Sequence, residues 1–246
     1  MTGLSWQAAR PYVLVPGTVG TGLVLARRRR LGLPLLALTG AVAAFFRDPD
    51  RQLPTDPDLV YAAADGVVRG VDEAIEDPWL PVGPSTRISV FLSLLNVHVN
   101  RSPVAGKVTA VEEIDGGFAP AFADRSEVNY RHRVGLDGSH GPVVLVLIAG
   151  LVARRISRWI DIRDEVEAGQ RISLIHFGSR TDVLLPGGSV DVLVKPGDKV
   201  RAGVTPLARY RRPVPVGANA TAAGRPSADT SPDVAPPAAP PDGTLG

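Results

Sequence analysis

Cysteine is absent from the 246 residues, so a disulfide framework, a thiolate metal site and a cysteine nucleophile are all excluded. Histidine is scarce, at four residues, and no metal site is expected. No Gly-x-Ser-x-Gly elbow occurs, which leaves an ordinary α/β-hydrolase without support. Long apolar runs are missing too. The two longest uncharged apolar stretches, residues 11–26 and 31–46, would each reach only about 24 Å as helices, against a hydrocarbon core of about 30 Å.

What is present is unevenly distributed. The formal net charge is only +2, but Arg27, Arg28, Arg29 and Arg30 form an unbroken basic run between the two apolar stretches. Arginines avoid hydrocarbon and favour anionic headgroups, at roughly 1 kcal/mol each near a surface. This tilts the basic excess toward lipid and away from nucleic acid. Residues 1–46 are therefore expected to form a membrane-associated helical hairpin, and residues 47–59, rich in Pro and Asp, a linker leaving it. Residues 60–212 have the composition of a mainly β domain. Strands are expected at 87–95, 106–114, 143–149, 151–160, 182–185 and 190–194, with one helix near 118–125. Residues 213–246, rich in Pro, Ala, Gly, Ser and Thr, offer too little apolar surface to offset ordering and are expected to be disordered.

Three short segments carry candidate chemistry. Gly178-Ser179 sits between two β-type runs, Asp65 precedes Gly66 after an apolar run, and His98 follows the strand expected at 87–95. An Asp, a His and a Ser at strand ends can converge into a base-activated serine. Taken singly, each is also an ordinary turn or cap residue.

In order along the chain come Phe46-Arg47-Asp48-Pro49-Asp50-Arg51, Ala64-Asp65-Gly66 and Asn96-Val97-His98-Val99-Asn100-Arg101-Ser102-Pro103. Gly150-Leu151-Val152-Ala153-Arg154-Arg155-Ile156 and Phe177-Gly178-Ser179-Arg180-Thr181-Asp182-Val183 follow. Together these five motifs strongly resemble the short bacterial and archaeal phosphatidylserine decarboxylase proenzymes. The resemblance runs from about residue 46 to 207. It implies that the Ser179 hydroxyl attacks the Gly178 carbonyl and that elimination then separates a β chain, 1–178, from an α chain, 179–246. The α chain would be capped by a pyruvoyl group made from Ser179. That built-in cofactor acts as an electron sink for decarboxylation of phosphatidylserine to phosphatidylethanolamine and CO2, at the cell membrane.

By the same resemblance, Asp65 assists self-cleavage and His98 transfers protons. Arg101, Arg154 and Arg155 bind the substrate phosphate or carboxylate. Longer members carry His-x-x-His-x-Pro, and this chain has Arg101 where their second His stands. The resemblance leaves open whether His98 serves both cleavage and decarboxylation, and whether the two chains associate further into a homo-oligomer.

Residues 190–207 also look like the β-hairpin of lipoyl and biotinyl carriers, which suggests a flattened β-barrel or sandwich resembling their barrel-sandwich hybrid. Carrier function would need a modifiable lysine in a Met-Lys or Asp-Lys context at a hairpin tip. Lys195 is not in such a context, and Lys199 is not read as one either. A carrier, or a membrane-anchored structural β domain, is the alternative.

Overall fold

The computed structural model describes residues 3–211, except 82, 122, 152–154 and 177. The disorder expected for residues 213–246 therefore concerns a segment outside the described residues.

Two helices come first, α1 (Gly3–Leu25) and α2 (Arg29–Phe45). Both are longer than the apolar stretches, because α1 takes in the mixed residues that precede its own. Their close approach depends on small residues: a side chain at Gly32 would strike Val24 and the Gly20 carbonyl. Thr18, Thr21 and Thr39 turn their hydroxyls back onto the carbonyls of Leu14, Gly17 and Leu35, so polar groups on an apolar hairpin are satisfied internally. Among the described residues, no helix is long and apolar enough to cross a membrane.

The rest is β. In chain order the strands are β1 (Leu59–Tyr61), β2 (Gly66–Ile75), β3 (Ser85–Leu92), β4 (Val99–Arg101), β5 (Gly106–Ile114), β6 (Arg131–Gly138) and β7 (Gly141–Ala149). They continue with β8 (Ile156–Arg158), β9 (Glu165–Val166), β10 (Arg171–Ile175), β11 (Ser179–Pro186), β12 (Val190–Val192), β13 (Lys199–Val200) and β14 (Pro206–Tyr210). Eight of them form a curled half-barrel sheet in the order β13-β2-β3-β11-β7-β6-β5-β9. Two three-stranded sheets, β1-β14-β12 and β4-β10-β8, complete the domain.

The expected strand at 106–114 forms with those bounds, and 182–185 is the centre of the longer β11. Among the described residues of the run expected at 151–160, Ile156–Arg158 is strand, and the helix expected at 118–125 is instead a 3-10 turn, Asp124–Val128.

β11 is the buried spine of the large sheet, paired with β3 on one side and β7 on the other. Its inward residues Val183 and Leu185 join Ile88, Val90, Val134, Leu145 and Leu147 in the main core. Each such side chain contributes roughly 1.5–3 kcal/mol on burial. Its outward residues Arg180 and Asp182 form a two-pronged ion pair at 2.7 Å, nearly excluded from solvent. By the two-residue alternation of a strand, Ser179 and Thr181 share the face of Val183 and Leu185.

A second core joins the hairpin to the domain: Ala9, Phe45 and Phe46 pack on Val97, Val99 and Leu174. The segment after α2 is held by charge. Asp48, fully buried, accepts from Arg171 Nε at 2.8 Å and lies 3.7 Å from Arg101. Removing one member of a buried ion pair leaves the others uncompensated and typically costs about 3–5 kcal/mol. Asp48→Ala is expected to lose about that much stability in urea unfolding followed by tryptophan fluorescence; a loss under about 1 kcal/mol would mean that the clamp is not structural.

Candidate active site at Gly178 and Ser179

The loop from Asn96 to His98 is built by a local turn. Asn96 Oδ1 accepts from the Ser93 N–H at 2.9 Å and from its hydroxyl at 2.7 Å, which presents Leu94 and Leu95 outward. His98 follows, and β4 carries the chain away. The His98 carbonyl accepts from the Ile175 N–H at 3.1 Å and from Asn100 Nδ2 at 3.3 Å. Asn100 Oδ1 in turn accepts from the Thr181 hydroxyl at 2.9 Å. One residue thus grips β10 just before the Gly178-Ser179 bond and, through Asn100, β11 just after it.

The imidazole completes the grip. His98 Nε2 accepts from the Gly178 N–H at 3.1 Å, and Nδ1 lies 3.0 Å from the Asn96 carbonyl oxygen. A carbonyl only accepts, so Nδ1 carries the proton and Nε2 offers its lone pair. The ring is fully buried. Burial lowers its pKa to about 4, helped by the charges of Arg47 and His176 and opposed by the Asn96 carbonyl and the Asp65 charge. At neutral pH His98 is therefore a neutral imidazole whose Nε2 lone pair faces the Gly178 N–H, next to the Gly178-Ser179 bond.

Gly178 has φ of +74°, the left-handed region that side chains disfavour. Ser179 opens β11 and pairs with Leu92 and Ala149. Its hydroxyl is buried and has no hydrogen-bond partner. Gly150 lies against the Gly178 carbonyl oxygen so closely that a Cβ there would overlap it, and would also meet Ala121 Cβ at 3.2 Å.

Asp65 is nearby but occupied. Arg51 binds both its oxygens, at 2.7 and 2.8 Å, and the Ala202 N–H donates to Oδ1 at 2.8 Å. It acts on His98 as a charge through space. Arg51 was not singled out from the sequence, although it lies in the first of the five motifs.

Arg101 is buried. It donates to the Gly169 carbonyl at 2.8 Å and the Pro49 carbonyl at 3.1 Å, beside Asp48. Arg155 is exposed, and its charge acts on both His176 and Tyr130. Arg154 lies outside the described residues. His176 is bonded to the Ser157 hydroxyl at 3.1 Å, and burial, then Arg155, lowers its pKa to about 4. His132 belongs to a separate cluster with Tyr130 and Glu113, and His140 pairs with Asp58 at 3.1 Å and stacks on Tyr210.

The phosphatidylserine decarboxylase family profile matches residues 38–208. The chain belongs to the phosphatidylserine decarboxylase family. It is 44% identical to the phosphatidylserine decarboxylase proenzyme of Streptomyces griseus over 82% of this chain and 92% of that one. Identity is 46% with the proenzyme of Thermobifida fusca (82% and 91% covered) and 47% with that of Symbiobacterium thermophilum (73% and 83% covered). Among solved structures, the glucose permease IIA of Mycoplasma capricolum is 17% identical with a TM-score of 0.34, covering 61% of this chain and 93% of that one.

Within this family setting, the tight seat of the Gly178 carbonyl against Gly150 yields a direct test. Gly150→Ala should push that carbonyl away from its position. Appearance of two chains in a gel time course should slow at least tenfold, equivalent to about 1.4 kcal/mol in the barrier. A wild-type rate would show that the carbonyl needs no such seat.

Proposed function

We propose that this chain decarboxylates phosphatidylserine to phosphatidylethanolamine and CO2, using a pyruvoyl group that it makes from Ser179 by cleaving its own Gly178-Ser179 bond. The observation that carries the reading is the conjunction at that bond: an unpartnered buried hydroxyl, a left-handed glycine before it and a neutral imidazole bonded to that glycine's N–H. Family membership supports the activity, and the relatives' naming as proenzymes agrees with a processed, pyruvoyl-bearing product.

In this reading the Ser179 oxygen attacks the Gly178 carbonyl carbon, which glycine leaves open for want of a Cβ. The C–N bond breaks to leave an ester and a free Ser179 amine. β-Elimination releases the Gly178 carboxylate, and hydrolysis of the dehydroalanine left behind gives the ketone and ammonia. His98 takes the hydroxyl proton at Nε2, after giving up the hydrogen bond that this nitrogen accepts from the neighbouring Gly178 N–H. Asp65, held in place by Arg51, supplies a negative charge through space that favours the imidazolium as it forms. After the cut, β11 stays between β3 and β7, so the new N-terminus of chain 179–246 is locked against chain 1–178 by strand pairing.

The residues fit the group. The Ser179 side chain is small, buried and free of competing bonds, at the fixed end of a strand. The pyruvoyl carbonyls supply the electron sink for loss of CO2. We assign the substrate's anionic groups to Arg155, which is exposed, with Arg154 beside it in sequence. Arg101 could take that task only by giving up its carbonyl partners.

We further propose that residues 1–46 attach the enzyme to the cell membrane as a hairpin, that 47–59 link it to the catalytic domain at 60–212, and that 213–246 form a tail. The curled sheet with its two small sheets is read as a flattened barrel of the carrier type. Leu14, Val19, Leu25, Leu31 and Leu38 on the hairpin are exposed, and so are Leu95 and Leu151 on loops near the bond. These residues suit a lipid surface.

Two experiments test the proposal. Ser179→Ala should remain one full-length polypeptide without decarboxylase activity, while wild-type protein gives a fragment whose mass matches a ketone-blocked chain from residue 179. Two chains from the variant, or an unmodified serine in wild-type protein, would overturn it. For membrane attachment, Leu14→Glu with Leu38→Glu should lower co-sedimentation with anionic phosphatidylserine vesicles roughly tenfold or more, as two charges enter an apolar face. Unchanged recovery would remove the hairpin's role.

A further inference from the structure

The hairpin meets the β domain through aromatic rings, and those rings lie on two of the buried histidines, His98 and His176. The Phe45 ring is 4.3 Å from the His98 ring, tilted by 40°. Phe46 meets His176 edge-on at 5.4 Å, and Tyr12 from α1 meets it at 5.9 Å. Phe45 and Phe46 touch each other at 5.2 Å, and Tyr12 stacks on Phe46 at 5.7 Å. The last turn of α2 therefore walls the imidazole that faces Gly178. On the polar side, among the described residues, His98 is fixed by Asn96 and Gly178. Those two bonds set where the ring nitrogens point. They leave the ring face open to whatever packs against it.

We infer that Phe45 is a positioning residue for self-processing: as the last residue of the hairpin's second helix, it holds the His98 ring against Gly178 and keeps water from it. The inference rests on the reading of His98 as the processing base. It makes the hairpin part of the catalytic site as well as an attachment to lipid. Removing residues 1–46 would then open the active site as well as release the domain.

The groups that face His98 decide what water would do there. Arg47, from the residue pair just after α2, and His176, just after β10, disfavour a charged ring. Asp65, from the loop between β1 and β2, and the Asn96 carbonyl favour it. Burial is the largest effect, and with Arg47 and His176 it outweighs Asn96 and Asp65 and keeps the ring neutral well below its ordinary range. Opening the Phe45 side lifts the largest of these effects. His98 would then take up a proton nearer its unperturbed pKa of about 6.5 and lose the lone pair that processing needs.

The experiment follows conversion of the pulse-labelled full-length chain into two chains between pH 4 and 8, for wild type, Phe45→Ala, Phe45→Leu and His98→Gln. Wild type should process at a near-constant rate down to about pH 5. Phe45→Ala should lose processing with a midpoint about one to two pH units higher than wild type, and Phe45→Leu should recover most of the difference. A general packing defect would slow Phe45→Ala at every pH and leave the midpoint in place, which would overturn the inference. If Phe45→Ala does not fold, the histidine resonances of Phe45→Leu and wild type in a Ser179→Ala background report the His98 pKa directly, and equal values would overturn it. His98→Gln separates the two readings. If it processes normally, the assignment of the base fails; if it is blocked while the Phe45→Ala midpoint is unmoved, only the role of Phe45 fails.

Discussion

The bond from the Gly178 N–H to His98 Nε2 organises the chemistry proposed for this chain. It requires a neutral imidazole with its proton on Nδ1, and both conditions come from the surroundings. The Asn96 carbonyl selects the tautomer, and burial suppresses the charge. The same residue holds the backbone on both sides of the bond, through Ile175 and through Asn100 to Thr181. A bond that is to be cut must be presented in one geometry while the flanking chain stays fixed. Here both tasks fall to the surroundings of one histidine and to a strand paired along both edges.

Charge is arranged around this dry centre. Five ionic side chains, Asp48, Arg51, Asp65, Arg101 and Arg171, join the segment after α2 to the loops beside the site. Buried carboxylates and guanidiniums add little net stability, but they are costly to disturb, so such a network fixes geometry. It also gives a physical sense to Arg101, which stands where longer members of the family have a second histidine. Its guanidinium ties the Gly169 and Pro49 carbonyls together. In this arrangement His98 is the ring bonded to the Gly178 backbone.

Much of this was legible in the sequence, for identifiable reasons. The hairpin stood out because charge is absent from its apolar stretches and concentrated in the turn. Strand β5 was legible from its β-branched residues. β2 and β6 were not, because their outward residues are charged. Arg87 pairs with Asp72, and Arg133 pairs with Asp77 while covering Trp79 at 4.6 Å, so these strands read as polar in one dimension although they are central in three. β11 was read too short at its start, where Arg180 is charged in the sequence but is neutralised inside the protein by Asp182. The five motifs supplied the candidate site residues, but motif order says nothing of contact. That Arg51 occupies both oxygens of Asp65, and that Phe45 covers His98, are pairings between distant segments that no local pattern encodes.

An unpartnered buried hydroxyl is not in itself a mark of reactivity. Ser85, Ser89 and Ser173 share that condition with Ser179, and each such group forgoes a hydrogen bond at a cost of about 1–3 kcal/mol. What separates Ser179 is its neighbourhood. It follows a glycine in the left-handed region, whose carbonyl is pressed against Gly150 and whose N–H is held by a neutral base. A serine hydroxyl with a partner would have to break that bond before it could approach a carbonyl. One without a partner has no such bond to lose, and in the proposed reaction the electrophile is its own preceding residue. The unpaired serines elsewhere in the sheets lack the glycine and the imidazole. For them the missing bond is only a cost, whereas at 179 it leaves the oxygen available for the one reaction its surroundings favour.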